Sequence, residues 1–313
     1  MKILITGASG FIGYNILKAL IKENHEITVV ASTHTENPIP PGCKVVYLGL
    51  EGLNWKEAYG KDAIIHQAAN NDTLSTNDGE MYRANVYGPI RLFHCAKDGG
   101  CRKFVYASST AVYGDQPAPY EEDSTLIKPL NVYGETKAKF DNFAMEFAKE
   151  HNVDCIGLRY CNVYGPGEDH KGRRASMIYQ LIKQLINLPN SGLAAKTLFA
   201  NLFKDGEQKR DWIHVDDVVG ANMHALHTTN VSGVFNCGTG TATSFNRIVE
   251  ILKELYPDQA SLMSVNYINN PNEAAYQSHT ECDIKKMQEE LGFSPHFDIE
   301  KGIEAYLKCL AKN

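Results

Sequence analysis

Lys2-Ile-Leu-Ile-Thr-Gly7-Ala-Ser-Gly10-Phe-Ile-Gly13-Tyr-Asn-Ile16-Leu-Lys-Ala-Leu20-Ile21 decides how this chain folds. Its first five residues form a β-like run, and Ile12, Ile16, Leu17, Leu20 and Ile21 then recur at helical spacing. Strand, glycine turn and helix follow one another directly. Glycines at 7, 10 and 13 permit a tight turn, close backbone approach to a diphosphate and close packing of helix on strand, while the helix N-terminus offers free N–H groups to an anion. A lone glycine triplet is weak, since an ordinary strand–helix turn contains as much. At the first such junction of an alternating chain it carries more weight.

The alternation continues. Strand-like runs appear at Glu26–Ser32, Lys44–Leu48, Asp62–Ala69 and Lys103–Ser109, with helical stretches between several of them. That order predicts an α/β fold with a doubly wound parallel sheet of the Rossmann type. Ligands of such sheets lie outside the strands' carboxyl ends, where Gly7, Ala68 and Ser109 all emerge. Gly233–Gly240 reads as a late strand returning to the sheet, so residues 1–164 and 212–240 are expected to form the dinucleotide-binding domain. Residues 165–211 and 241–313 are left for a smaller substrate-binding lobe with apolar helix faces at Met177, Leu181, Ile182, Leu185 and at Ile248, Ile251, Leu252, Leu255.

Tyr133 and Lys137 stand four apart at the start of an amphipathic run, which puts both on one helix face. A phenol of pKa about 10 is a poor base, but an ammonium nearby favours the phenolate by roughly 1–3 units. The pair suits proton transfer to and from a hydroxyl. Tyr-x3-Lys alone is common on helix surfaces; Ser109 at a strand end, the glycine turn and this pair, in that order, are rarely together by chance.

Composition narrows the ligand. The 313 residues are 43% hydrophobic and 22% charged, enough for a large core in two lobes. No apolar run reaches the roughly 18–20 residues that span a bilayer, and a strand beginning at Lys2 leaves no room for a signal peptide, so a cytoplasmic protein with no membrane partner is expected. Eight cysteines form no Cys-x2-Cys pair and sit mostly in apolar segments, which favours buried thiols; no metal is assigned. A net charge of −6 without a basic stripe argues against nucleic acid as a partner.

With the Gly-x2-Gly-x2-Gly turn, Ser109 and Tyr133-x3-Lys137, the chain resembles the extended short-chain dehydrogenase/reductase superfamily over nearly its whole length. The resemblance implies a nicotinamide cofactor, Tyr133 as acid/base, Lys137 lowering its pKa and holding the cofactor ribose, and Ser109 bonding the reacting oxygen. Leu158–Pro166, Lys209–Asp217 and Gly233–Gly240 are similar to segments shared by the superfamily's nucleotide-sugar epimerases and dehydratases. Lys128–Gly134, Glu168–Ser176 and Ala275–Thr280 most resemble the ADP-glyceromanno-heptose 6-epimerases.

That likeness implies oxidation and re-reduction at C6 of a nucleotide-diphosphate sugar by a tightly bound NADP or NAD, in a homo-oligomer. Carried over by motif, Gly7, Gly10, Phe11, Ile12, Gly13, Ser32, Gln67, Ala68, Ala69, Asn85, Tyr133, Lys137 and Val163 would meet the cofactor. Ser109, Asn162, Arg173, Gln180, Phe203, Arg210 and Tyr276 would meet the sugar nucleotide, and Lys171 would be a second acid/base. Asn85 is expected to anchor backbone beside the cofactor.

The chain departs from the family pattern in three places. No carboxylate stands in Val30-Ala-Ser32-Thr-His34 at the end of the second strand, which favours NADP, although no Lys or Arg lies between Ala31 and Pro38. Leu48-Gly-Leu-Glu51 and Ala275 also differ from the pattern. A 4-epimerase or other nucleotide-sugar oxidoreductase is the alternative, and a non-catalytic dinucleotide sensor is a third reading. Ser109-Thr-Ala-Val112 lacks the Thr-Asp-Glu of the 4,6-dehydratases.

Overall fold

The computed structural model describes residues 1–32, 37–48, 55–72, 77–123, 127–186, 198–257, 263–270 and 277–311. Strand β1 (Lys2–Thr6) leads through the glycine turn into helix α1 (Phe11–Lys22), then β2 (Glu26–Ala31), β3 (Lys44–Tyr47) and β4 (Ala63–His66). Helix α2 (Asp78–Tyr82) passes through a π-turn at Arg83–Tyr87 into α3 (Gly88–Asp98), followed by β5 (Lys103–Ser109), α4 (Val132–His151) and β6 (Asp154–Tyr160). After β7 (Asn162–Tyr164), α5 (Met177–Ile186), β8 (Leu198–Phe203), β9 (Lys209–His214) and α6 (Val215–His227), the strand β10 (Gly233–Cys237) returns to the main sheet.

Seven strands make that sheet in the order β10-β6-β5-β4-β1-β2-β3, and every pairing is parallel. The winding reverses between β1 and β4, so a crevice opens at their carboxyl ends. Both faces of the sheet are covered, which is why its strands read as unbroken apolar runs rather than alternating ones. Successive residues point to opposite faces. Ile3 and Ile5 join a core with Ile16, Val29, Val105 and Ala221, while Leu4 joins Phe93, Phe104, Phe140 and Phe147.

Helix α4 carries Phe140, Ala144, Phe147 and Ala148 into the second of these cores at helical spacing. It is started by Asn131, whose Oδ1 accepts from Gly134 N at 2.9 Å. Beneath it, Asp141 meets Arg159 of β6 at 2.9 Å with both side chains almost fully buried, and Arg159 also donates to the Tyr113 hydroxyl at 2.8 Å. Such a pair holds only because its remaining valences are also filled. Tyr106 supplies one such bond to Asp141, at 3.1 Å.

The other layer is built from short strands. β9 pairs with β7, with β11 (Ala242–Ser244) and with β13 (His279–Thr280), and β8 pairs with β12 (Met263–Ile268). A third core of Ile178, Ile182, Trp212, Ile248, Ile251, Leu252 and Tyr306 joins α5, α7 (Phe245–Leu255) and the C-terminal helix Ile299–Leu310 to it. No helix among the described residues is long and apolar enough to cross a membrane.

Candidate active site

The three glycines of the first turn are required for different reasons. Gly7 has φ +70, and a Cβ there would press on the backbone of Ala68; a Cβ at Gly13 would run into the Gly7 carbonyl oxygen. At Gly10 the nearest atom to a Cβ is 3.5 Å away, so its place rests on the N-cap of α1, where no side chain closes the first helical turn. The N–H groups of that turn are left for an anion. Thr6 ties β1 to β4: its Oγ1 lies 2.7 Å from His66 Nδ1 and accepts from Ala68 N at 3.2 Å. Burial, reinforced by the Lys137 charge, holds His66 at a pKa of about 3.

The crevice above this turn encloses ≈ 430 Å³. Of the residues expected at the cofactor, Gly7, Gly10, Phe11, Ile12, Gly13, Ser32, Gln67, Ala68, Ala69, Tyr133 and Lys137 line it; Asn85 and Val163 do not. Asn85 is buried in the π-turn and acts at one remove. Its Oδ1 accepts from Asn70 N and its Nδ2 donates to Asn70 O, both at 2.8 Å, which clamps the loop after β4 against the crevice. Val163 pairs with Ile213 in the second layer.

Ser109, the last residue of β5, does not itself line the crevice but stands next to Tyr133, which does, and accepts from Ala111 N at 3.2 Å. Lys137 donates from Nζ to Ala107 O at 2.8 Å and lies 5.8 Å from the centre of the Tyr133 ring. Desolvation lowers the Lys137 pKa to about 8 against the opposing charge of Asp141. The expected lowering of the tyrosine by this lysine is not what the structure gives. Burial raises the Tyr133 phenol above its ordinary value, and the bond from Ser109 is what opposes it.

The facing wall comes from the segment after β7. A 3₁₀ turn at Asp169–Arg174, broken at Gly172 (φ +56), brings His170, Lys171 and Arg174 to the crevice. Lys171 Nζ sits 5.3 Å from the centre of the Phe11 ring, at the start of α1. Asn15 Nδ2 donates to Pro166 O at 3.1 Å; Asn37 Nδ2 donates to Ser9 O at 2.8 Å and lies 3.4 Å from His170 Nδ1. Buried Glu168 organises the turn by accepting from Gly165 N, Ser176 N and Ser176 Oγ.

A glycine-lined crevice at the switch point, with half-buried Ser109 and Tyr133 and buried Lys137 at one end, fits a nicotinamide dinucleotide. The sequence signature of the NAD dependent epimerase/dehydratase family matches residues 3–238. The chain belongs to that family. Among its relatives, the ADP-L-glycero-D-manno-heptose-6-epimerase of Brachyspira hyodysenteriae is 35% identical over 99% of this chain and 98% of the relative. The enzyme of the same description from Helicobacter pylori is 31% identical, covers 100% of this chain and 96% of its own, and superimposes with a TM-score of 0.85. MoeE5, solved with UDP-glucose and NAD, is 28% identical over 100% of this chain and 99% of its own, with a TM-score of 0.83.

In this epimerase/dehydratase family member the residues expected at the sugar nucleotide are spread more widely than those at the cofactor. Asn162 accepts from Thr280 Oγ1 at 3.3 Å, and Gln180 Nε2 donates to Gly172 O at 2.6 Å. Arg210 is buried 5.8 Å from the Phe245 ring centre, and Phe203 lines a separate cavity of ≈ 250 Å³ with Lys204, Asp205 and Gln208. Tyr276 and the side chain of Arg173 lie outside the described residues, as do Thr33, His34, residues 49–51 and Ala275.

Asp141, and the partners of Gln67, escaped the sequence reading. Asp141 stands four after Lys137 and eight after Tyr133 on one helix face, a spacing that was there to be read. Tyr160, Gln67 and Asn222 form a closed set: Tyr160 OH donates to Gln67 Oε1 at 3.1 Å, Gln67 Nε2 to Asn222 Oδ1 at 3.1 Å, and Asn222 Nδ2 to Tyr160 OH at 2.8 Å. No local pattern links those three positions.

Proposed function

We propose that this enzyme inverts C6 of an ADP-glyceromanno-heptose, converting the D-glycero to the L-glycero form, with NADP retained in the crevice. The observation that carries the reading is the Ser109–Tyr133–Lys137 group at the end of a crevice opened by the glycine turn. The full-length likeness to heptose 6-epimerases supports the choice of sugar. The bound cofactor would supply the acceptor and donor of hydride. Tyr133 takes the proton of the C6 hydroxyl, Ser109 holds the oxygen and favours the phenolate, and Lys137, charged below about pH 8, holds the cofactor beside it.

Inversion needs the other face of the same carbon. Rotation about the exocyclic C5–C6 bond of the ketone presents that face and carries the oxygen away from Tyr133, so a second donor is required. Lys171, on the facing wall, is assigned that role, with Arg173 and Arg174 beside it for the diphosphate and Asn162, Gln180, Phe203, Arg210 and Tyr276 for the remainder of the sugar nucleotide. Absence of a carboxylate from the first three residues after β2, together with Ser32 at the crevice, supports NADP over NAD. We assign residues 1–164 and 212–240 to the cofactor domain, the rest to the substrate lobe, and a homo-oligomer to the working enzyme.

Purified enzyme offered ADP-, GDP- and UDP-sugars, with products read by NMR, tests the substrate: inversion of the ADP-heptose at C6 is expected. Turnover confined to ring C4 of a UDP-sugar would replace the heptose reading by the 4-epimerase one. Mass spectrometry of the released cofactor is expected to give NADP, and NAD alone would refute that part. Light scattering reads the oligomer.

A further inference from the structure

On the surface away from the crevice, three side chains from three elements converge on one point. Glu23 caps the C-terminus of α1, His25 stands in the turn before β2, and His227 is the last residue of α6. His25 Nε2 and His227 Nε2 each lie 2.9 Å from the same oxygen, Oε2 of Glu23, with ring centres 6.2 Å apart. Two imidazole nitrogens and one carboxylate oxygen are a donor set that zinc and its neighbours prefer. Tetrahedral bonds of about 2.0–2.2 Å place ligand atoms roughly 3.3–3.5 Å apart, so an ion is admitted by opening each contact about half an ångström.

His227 and Glu23 are 48% and 40% exposed, which leaves the remaining coordination positions to water. A second cluster among the described residues, Cys161, Asp211 and Cys282, does not compete. The Asp211 carboxylate already accepts from Thr239, Gly240 and Cys282 backbone N–H groups, and the two sulfurs are 2.6 Å apart, where two thiolates on one zinc stand about 3.7 Å apart.

We propose that Glu23, His25 and His227 bind one divalent transition-metal ion of the zinc, nickel and cobalt class, clasping the far ends of α1 and α6. These helices pack on each other, and their inner parts serve the crevice through the glycine turn and Asn222. The ion therefore braces the scaffold behind the cofactor site without touching it.

The test uses cofactor-loaded enzyme carrying its native Met1 and no polyhistidine tag, stripped with a chelator. Cobalt(II) is titrated by its visible absorption and zinc by competition, alongside melting curves. One equivalent is expected to bind and to raise the melting temperature. Glu23→Gln and His227→Gln should each weaken binding by about 100-fold, at the upper end of what losing even an outer partner of a metal site brings. Cys282→Ser should leave it unchanged. No binding, parental affinity in His227→Gln, or loss confined to Cys282→Ser would each overturn the assignment.

Discussion

The two walls of the crevice are made differently. Ser109, Tyr133 and Lys137 sit on the end of a central strand and the first turns of a twenty-residue helix, with Ser109 and Lys137 fixed by bonds to the backbone. Lys171 and Arg174 arrive on a six-residue 3₁₀ turn with a left-handed glycine, held by Asn15, Asn37 and Glu168. Proton transfer tolerates little misplacement, and regular elements hold a group more tightly than a loop does.

Four substitutions sharpen or break this contrast. Tyr133→Phe removes the phenol from the rigid wall and, on the proposed acid/base role, should lower turnover by about 10²–10⁴-fold with cofactor still bound; turnover at the parental rate in folded protein would end the assignment. Asp141→Asn leaves Arg159 buried without its counter-charge, so a loss of about 3–5 kcal/mol in denaturant unfolding is expected. Because Asp141 raises the Lys137 pKa, the same variant should move the alkaline limb of kcat/KM to lower pH.

On the loop wall, Lys171→Met should abolish most inversion while sparing cofactor binding. A raised KM with kcat intact would instead make Lys171 a phosphate clamp. The smallest effect concerns His66. With a folded pKa of about 3 against 6.5 ordinarily, the unfolded chain takes up a proton that the folded one refuses. Stability should therefore decline as pH falls from 6.5 toward 3, and His66→Gln should flatten that slope in urea titrations at several pH values.

What the sequence discloses follows the same division. Strands such as Ile3-Leu-Ile5, buried on both faces, announce themselves as apolar runs, and the Gly7, Ser109 and Tyr133-x3-Lys137 positions fall on the strand ends and helix starts that those runs define. Lys171 was visible as a residue but not as a neighbour of Phe11, because a 3₁₀ turn has no period to read and its docking depends on Asn15 and Asn37, far away in the chain. The raised phenol of Tyr133 was hidden for a related reason. Spacing shows a nearby ammonium, whereas desolvation depends on everything packed around the ring. Strands of two or three residues such as β7 and β13 carry too short a pattern to register at all.

The place of β10 bears on how the chain is made in the cell. β6, six of whose seven residues are buried, has β5 on one side and β10 on the other, and β10 is not synthesised until β7, β8 and β9 have all followed. Through that interval of translation β6 presents a long, flat, apolar edge with unpaired backbone groups, the template on which strands from other chains add. The nascent protein is thus most prone to aggregate after Tyr133 has emerged and before Gly233–Cys237 leaves the ribosome. A message truncated within that window yields insoluble chain rather than a smaller enzyme.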